Sequence, residues 1–173
     1  MKTFKHMSTA ILALALTALV TTAAPAKAGV IKAHGGEVFA LTPTDDPNVF
    51  RDTVDGVAQV SLLGNCSFHA EQTVSLPSAP GEPIRVKGSW RFTTADSATT
   101  LDLEVEGTGA PDPANPGFVN INLTVRFAGG TGLMAHVRGS GELEGAAMFT
   151  SPTAGMVTWT LKGNISTHGQ KGH

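Results

Sequence analysis

The chain has 173 residues, 41% of them hydrophobic, and a formal charge of −2 at pH 7. Its one cysteine, Cys66, rules out an intramolecular disulfide. No run of Lys and Arg gathers the basic residues, which argues against nucleic acid or an anionic lipid surface as a partner, since both reward clustered positive charge.

Residues 1–28 read as a secretory leader. Lys2, Lys5 and His6 make a basic start, residues 7–20 are apolar and uncharged, and Ala26-Lys27-Ala28 has the small-x-small form that a signal peptidase accepts. The apolar run, about 14 residues, is too short to cross a bilayer core that asks for about 20. No later stretch is long enough, so no membrane span is expected. Cleavage starts the mature chain at Gly29, with Lys27 as the nearest alternative. Removing the leader and its three lysines leaves nine basic residues against fourteen acidic ones, a net charge of −5. The expected location is secreted or periplasmic, with residues 29–173 as a single domain.

Along the mature part, alternation of apolar and polar residues dominates and helical periodicity is hard to find. Strands are expected at 36–41, 57–64 and 67–76, with Asp45-Asp46-Pro47-Asn48 as a loop between the first two. After a loop at 78–83, Ile84, Val86, Trp90 and Phe92 face one way and Arg85, Lys87, Ser89 and Arg91 the other. Thr94-Ala95-Asp96-Ser97 turns this strand back into one in which Leu101, Leu103 and Val105 oppose Asp102, Glu104 and Glu106. Antiparallel pairing then sets Arg91 opposite Asp102 and Lys87 opposite Glu106.

A Pro-rich loop at 110–117 leads into the clearest strand, where Val119, Ile121, Leu123, Val125 and Phe127 alternate with Asn120, Asn122, Thr124 and Arg126. Gly129-Gly130-Thr131-Gly132 reads as a turn. The next strand, at 133–145, carries Gly139, Gly141 and Gly145 in phase with Leu133, Ala135, Val137 and Leu143, a pattern that permits sharp coiling or close approach. Val157, Trp159, Leu161 and Ile165 mark a last strand before a loose polar tail at 168–173. The expected fold is all-β, an antiparallel barrel of about eight strands, closed or nearly closed, with a sandwich as the alternative.

Phe127-Ala128-Gly129-Gly130-Thr131-Gly132-Leu133, followed by Gly139-x-Gly141-x-Leu143, resembles the repeated-glycine hairpin of the allene oxide cyclase and dirigent barrel families. Trp159-Thr160-Leu161-Lys162-Gly163 is similar to their closing strand, and Leu63-Gly64-Asn65-Cys66 looks like the strand in which allene oxide cyclases carry a cysteine. The resemblance spans about two-thirds of the mature chain. It implies an eight-stranded barrel with an apolar lumen, often in homo-oligomers, that binds small hydrophobic molecules and in some branches guides their cyclisation or coupling. Cys66 is the residue it carries over; the residues around Glu37 do not match those around the cyclases' first-strand glutamate.

Weighed on their own, the chemical residues form no strong constellation. His69 and Glu71 share a strand face at the spacing of an acid/base couple, but Ser67 and Thr73 share it too, as on an ordinary wet face. Cys66 falls in the opposite phase, with a buried small hydrophobe as its plain reading. Cys66, His69 and Glu71 are therefore weak catalytic candidates. Asp45, Asp46, Asp52 and Asp55 lack the spacing of a calcium loop and read as a solvated acidic loop. His34, His69, His136, His168 and His173 make no metal-ligand pattern; neither a metal nor a cofactor is expected. Trp90, Phe92 and Trp159 share phase with aliphatic residues and either fill the core or line a ligand cavity. A small hydrophobic ligand is the expected partner, in a binding or structural role favoured over a cofactor-free cyclase or isomerase.

Overall fold

The computed structural model describes residues 27–79, 82–115 and 117–167. Among these residues nine strands follow one another: β1 (Lys27–Ala40), β2 (Thr42–Pro43), β3 (Val49–Val60), β4 (Gly64–Ser75), β5 (Ile84–Thr94), β6 (Thr100–Pro111), β7 (Phe118–Gly130), β8 (Val137–Ser151) and β9 (Ala154–Thr167). Each of β3 to β9 pairs antiparallel with the next, and β9 pairs along the whole of β1. A further antiparallel contact, Ala33–Gly36 of β1 against Val57–Val60 of β3, shuts the sheet into an eight-stranded barrel. β2 lies outside that ring, paired with the start of β3. The chain is all-β and closed, as the alternation and the family resemblance lead one to expect; the sandwich alternative falls with the β1–β3 contact.

Alternation sorts the side chains as it must when one face is buried. Val119, Leu123, Trp90, Phe92, Trp159 and Leu161 are buried in the barrel and Ile121 packs against them. On the outside, Arg91 pairs with Asp102 (Nε–Oδ1 2.6 Å) and Lys87 with Glu106 (Nζ–Oε2 3.2 Å), in the expected register. Large rings fit inside because glycine faces them. A Cβ on Gly163 would strike the Phe127 ring, and one on Gly35 the Trp159 ring.

Several expectations need correction. The strand placed at 57–64 straddles a turn: β3 ends at Val60, Ser61–Leu63 turn, and β4 begins at Gly64. Asp52 and Asp55 are not in a solvated loop, because β3 starts at Val49; Asp52 faces inward and is buried, while Asp55 stays exposed on the outer face. The glycine turn is longer than a tight hairpin. Gly129, Gly130 and Gly132 have φ of 118°, 151° and 53°, values that favour glycine, and they lead into a 3-10 turn at Gly132–Met134. Leu133 is consequently exposed, Met134 is buried, and β8 starts at Val137. Residues 1–26 of the expected leader and the tail at 168–173 lie outside the described residues, whereas Lys27 and Ala28 open β1 opposite Thr167 and Ser166. No helix among the described residues is long and apolar enough to cross a membrane.

Candidate functional site

The barrel interior is solid at one end and hollow at the other. The solid end, bounded by the β3–β4, β5–β6 and β7–β8 connections, holds Phe68, Phe92, Phe127, Leu101 and Val125, all at most 2% exposed. Above it lies a four-ring cluster. Trp90 stacks on Phe68 with centroids 5.5 Å apart; Trp159 meets Trp90 and Phe68 edge-on at 5.2 and 5.5 Å and lies tilted against Phe92 at 5.9 Å. Offset and edge-on contacts of this kind are each worth about 0.5–1.5 kcal/mol beyond the area they bury.

The two indoles form the floor of a cavity of about 70 Å³ in the other half. Its walls are mostly aliphatic: Val74, Val86, Val119, Ile121, Leu123, Leu143, Ala147 and Val157, with Phe39 and Phe149 among the residues at its side. They come from the halves of the strands next to the β3, β5, β7 and β9 starts, so the cavity opens toward the loops at that end.

Two carboxyls interrupt this apolar lining. Glu37 is in phase with Phe39 on β1 and with Leu41 just beyond it, and Asp52 with Phe50 and Val54 on β3. They stand where β1 and β3 part company, since the β1–β3 contact stops at Gly36 and Val57 and on that edge of β3 the next pairing is with β2. Trp159 donates from Nε1 to Glu37 Oε2 at 2.8 Å. Gln72 donates from Nε2 to Asp52 Oδ2 at 2.7 Å and accepts on Oε1 from Trp90 Nε1 at 3.2 Å. Asp52 Oδ1, fully buried, has no hydrogen-bond partner among the described residues.

Burial raises the pKa of both acids. Desolvation, aided by the nearby Asp52 charge and only partly opposed by the Trp159 N–H, pushes Glu37 up to about 7. Asp52 is raised for the same leading reason, against the Gln72 amide and the Ala40 N–H, which favour its charged form. A carboxyl poised near neutrality inside an apolar cavity can hold or release a proton under ordinary conditions.

The residues singled out from the sequence distribute as follows. Trp90 and Trp159 border the cavity; Phe92 is buried beneath them in the solid half. Cys66 is buried at the far end of β4 from the cavity, its Sγ 3.7 Å from the Gly64 carbonyl, and burial raises its thiol pKa. His69 and Glu71 lie on the outer wall and do not reach the lumen. There, Asp55 Oδ1 sits 2.8 Å from His69 Nδ1 and raises the imidazole pKa, and Glu71 Oε1 lies 3.5 Å from Nε2. Among the described residues no group of three or more His, Cys, Asp or Glu is placed to hold a metal ion. The sequence reading missed the Glu37–Asp52 pair, although both share phase with neighbouring aromatic residues.

No family model and no curated protein matches this chain. Among solved structures, the pterocarpan synthase dirigent protein GePTS1 aligns over 91% of this chain and 100% of its own, at 13% identity and a TM-score of 0.42. At that distance no residue role transfers.

Proposed function

We propose that the protein binds a small, largely hydrophobic molecule in the open half of its barrel lumen, after export to a secreted or periplasmic location. One observation carries this reading: the same alternation that fills one half of the barrel leaves the other half hollow, apolar-walled and floored by Trp90 and Trp159. An interior of apolar walls with a few convergent polar groups is the usual form of a small-molecule site. At about 70 Å³, the cavity takes the end of a small molecule, since drug-sized ligands ask for roughly 300–1,000 Å³. Native mass spectrometry of gently purified protein is expected to show a retained small molecule that Ala147→Leu, which fills the cavity, removes. Equal retention by the filled variant would overturn the reading.

Glu37 supports a second one, a cofactor-free cyclase or isomerase. Its carboxyl sits in the lumen with a pKa near 7, where it would be the proton-exchanging group for a substrate shaped by the dry walls. The binder is preferred because a buried carboxyl also serves to orient a ligand. Export is tested by N-terminal sequencing of the secreted product, expected to begin at Gly29.

A further inference from the structure

The polar side of the cavity is unequal in its hydrogen-bonding capacity. Its donors already point at acceptors of the protein: Trp159 Nε1 at Glu37, Trp90 Nε1 at Gln72, and the Gln72 amide at Asp52. Its acceptors are under-used. Among the described residues, Asp52, 3% exposed, has no hydrogen-bond partner for its Oδ1, and Glu37 accepts a hydrogen bond from Trp159 on Oε2. A buried oxygen left without a donor costs about 1–3 kcal/mol, so a ligand able to donate there removes a penalty that an accepting ligand leaves in place. Glu37 and Asp52 are also the ionisable side chains among the lining residues, and both are acids. When ionised, these acids set like charge against a carboxylate ligand in a low-dielectric site, whereas an ammonium, facing two indole rings as well, favours their charged forms.

Resting on the lumen-binder reading above, we infer that the ligand is an apolar amine, its protonated nitrogen donating to Asp52 Oδ1 and Glu37 and its hydrocarbon end lying among Val86, Leu123 and Ala147. The charged head then forms charge-assisted hydrogen bonds, stronger than those of an alcohol. The apolar remainder supplies the burial. A fatty acid of the same length is rejected by the same two carboxyls.

Trp90 and Trp159 are the chain's only tryptophans and both border the cavity, so intrinsic fluorescence reports occupancy directly. Titrations at pH 8 with hexylamine, hexanol and hexanoate are expected to give affinity in that order, with hexylamine at least about tenfold tighter than hexanoate. Asp52→Asn and Glu37→Gln are each expected to weaken hexylamine about tenfold and hexanol less than about threefold. Hexanoate binding as tightly as hexylamine, or hexanol exceeding it, overturns the amine assignment while leaving the lumen-binder reading intact. No fluorescence response to any of the three overturns both. The ligand order is measured on the unaltered protein, so it stands even if a variant fails to fold.

Discussion

The two halves of this barrel share strands, closure and alternation, yet one is packed and the other hollow. In the packed half the inward positions carry Phe68, Phe92, Phe127, Leu101 and Leu103, and Met134 is buried at its closed end. In the open half Val74, Val86, Gly109, Val119 and Ala147 stand among Ile121, Leu123 and Leu143, with Phe39 and Phe149 at the side and two carboxyls. Eight strands enclose a bore that side chains can just fill; rings fill it, and valine, alanine and glycine do not. The pattern of apolar and polar residues thus decides the fold, while the sizes of the inward residues decide where a site exists.

The largest expected effect is the cost of removing packing. Phe127→Ala, in the solid half, is expected to destabilise by about 3–5 kcal/mol, because it leaves a new cavity among fully buried neighbours. Leu123→Ala, in the wall of the existing cavity, is expected to cost nearer 2 kcal/mol, since part of its surroundings is already empty. Urea denaturation of both variants measures the difference. Equal losses would mean that the two halves are packed alike.

The next effect belongs to the open half alone. Glu37 has a folded-state pKa of about 7 against an ordinary 4.5. Between those values the folded protein keeps a proton that the unfolded chain has lost, so stability is greatest below about pH 4.5 and falls as pH rises toward 7. Allowing for the partial exposure of the side chain, the loss is on the order of 2–3 kcal/mol. Asp52, also raised, adds to the fall with the same sign, and so does His69, whose raised pKa contributes stability that disappears as pH rises through it. Glu37→Gln removes the first contribution only. Denaturation midpoints at pH 4.5 and 7.5 should therefore differ less in Glu37→Gln than in the parent protein; an unchanged difference would place Glu37 outside the low-dielectric lumen.

Much of this was legible in the sequence, for identifiable reasons. Strands with one buried face advertise it by alternation, and the charges on the other face set the β5–β6 register through Arg91–Asp102 and Lys87–Glu106. The inward direction of Trp90 and Trp159 followed from the same phase. Three things were harder. Closure also needs the first strand, β1, to pair with the last, β9, which no connecting turn joins, so no local signal marks it. Asp52 follows the acidic loop at 45–48 and looked like part of it, although two-residue steps from Phe50 and to Val54 put it inside. Glu37 is likewise two residues from Phe39, but an acid in an apolar phase is read as a break in the pattern until the cavity that receives it is seen.

The smallest expected effect lies on the outer wall, and it tests whether the difference between the halves is confined to the lumen. Arg91–Asp102 sits outside the packed half, beside Phe92 and Leu101, and Lys87–Glu106 outside the open half, beside Val86 and Gly107. Both are surface pairs, with the Arg91 and Lys87 side chains 62% and 76% exposed. Such pairs contribute about 0.2–1 kcal/mol, because water screens the attraction and fixing long side chains opposes it. Arg91 reaches Asp102 through both Nε and Nη2, at 2.6 and 3.4 Å, so its coupling should lie toward the upper end, and that of Lys87, a single contact, toward the lower. Double-mutant cycles with alanine at both positions of each pair measure these couplings directly. Values under about 1 kcal/mol for both would show that the outer wall is alike in the two halves. A coupling for Lys87–Glu106 well above that for Arg91–Asp102 would mean that the hollow half leans on its outer charges to hold its walls apart.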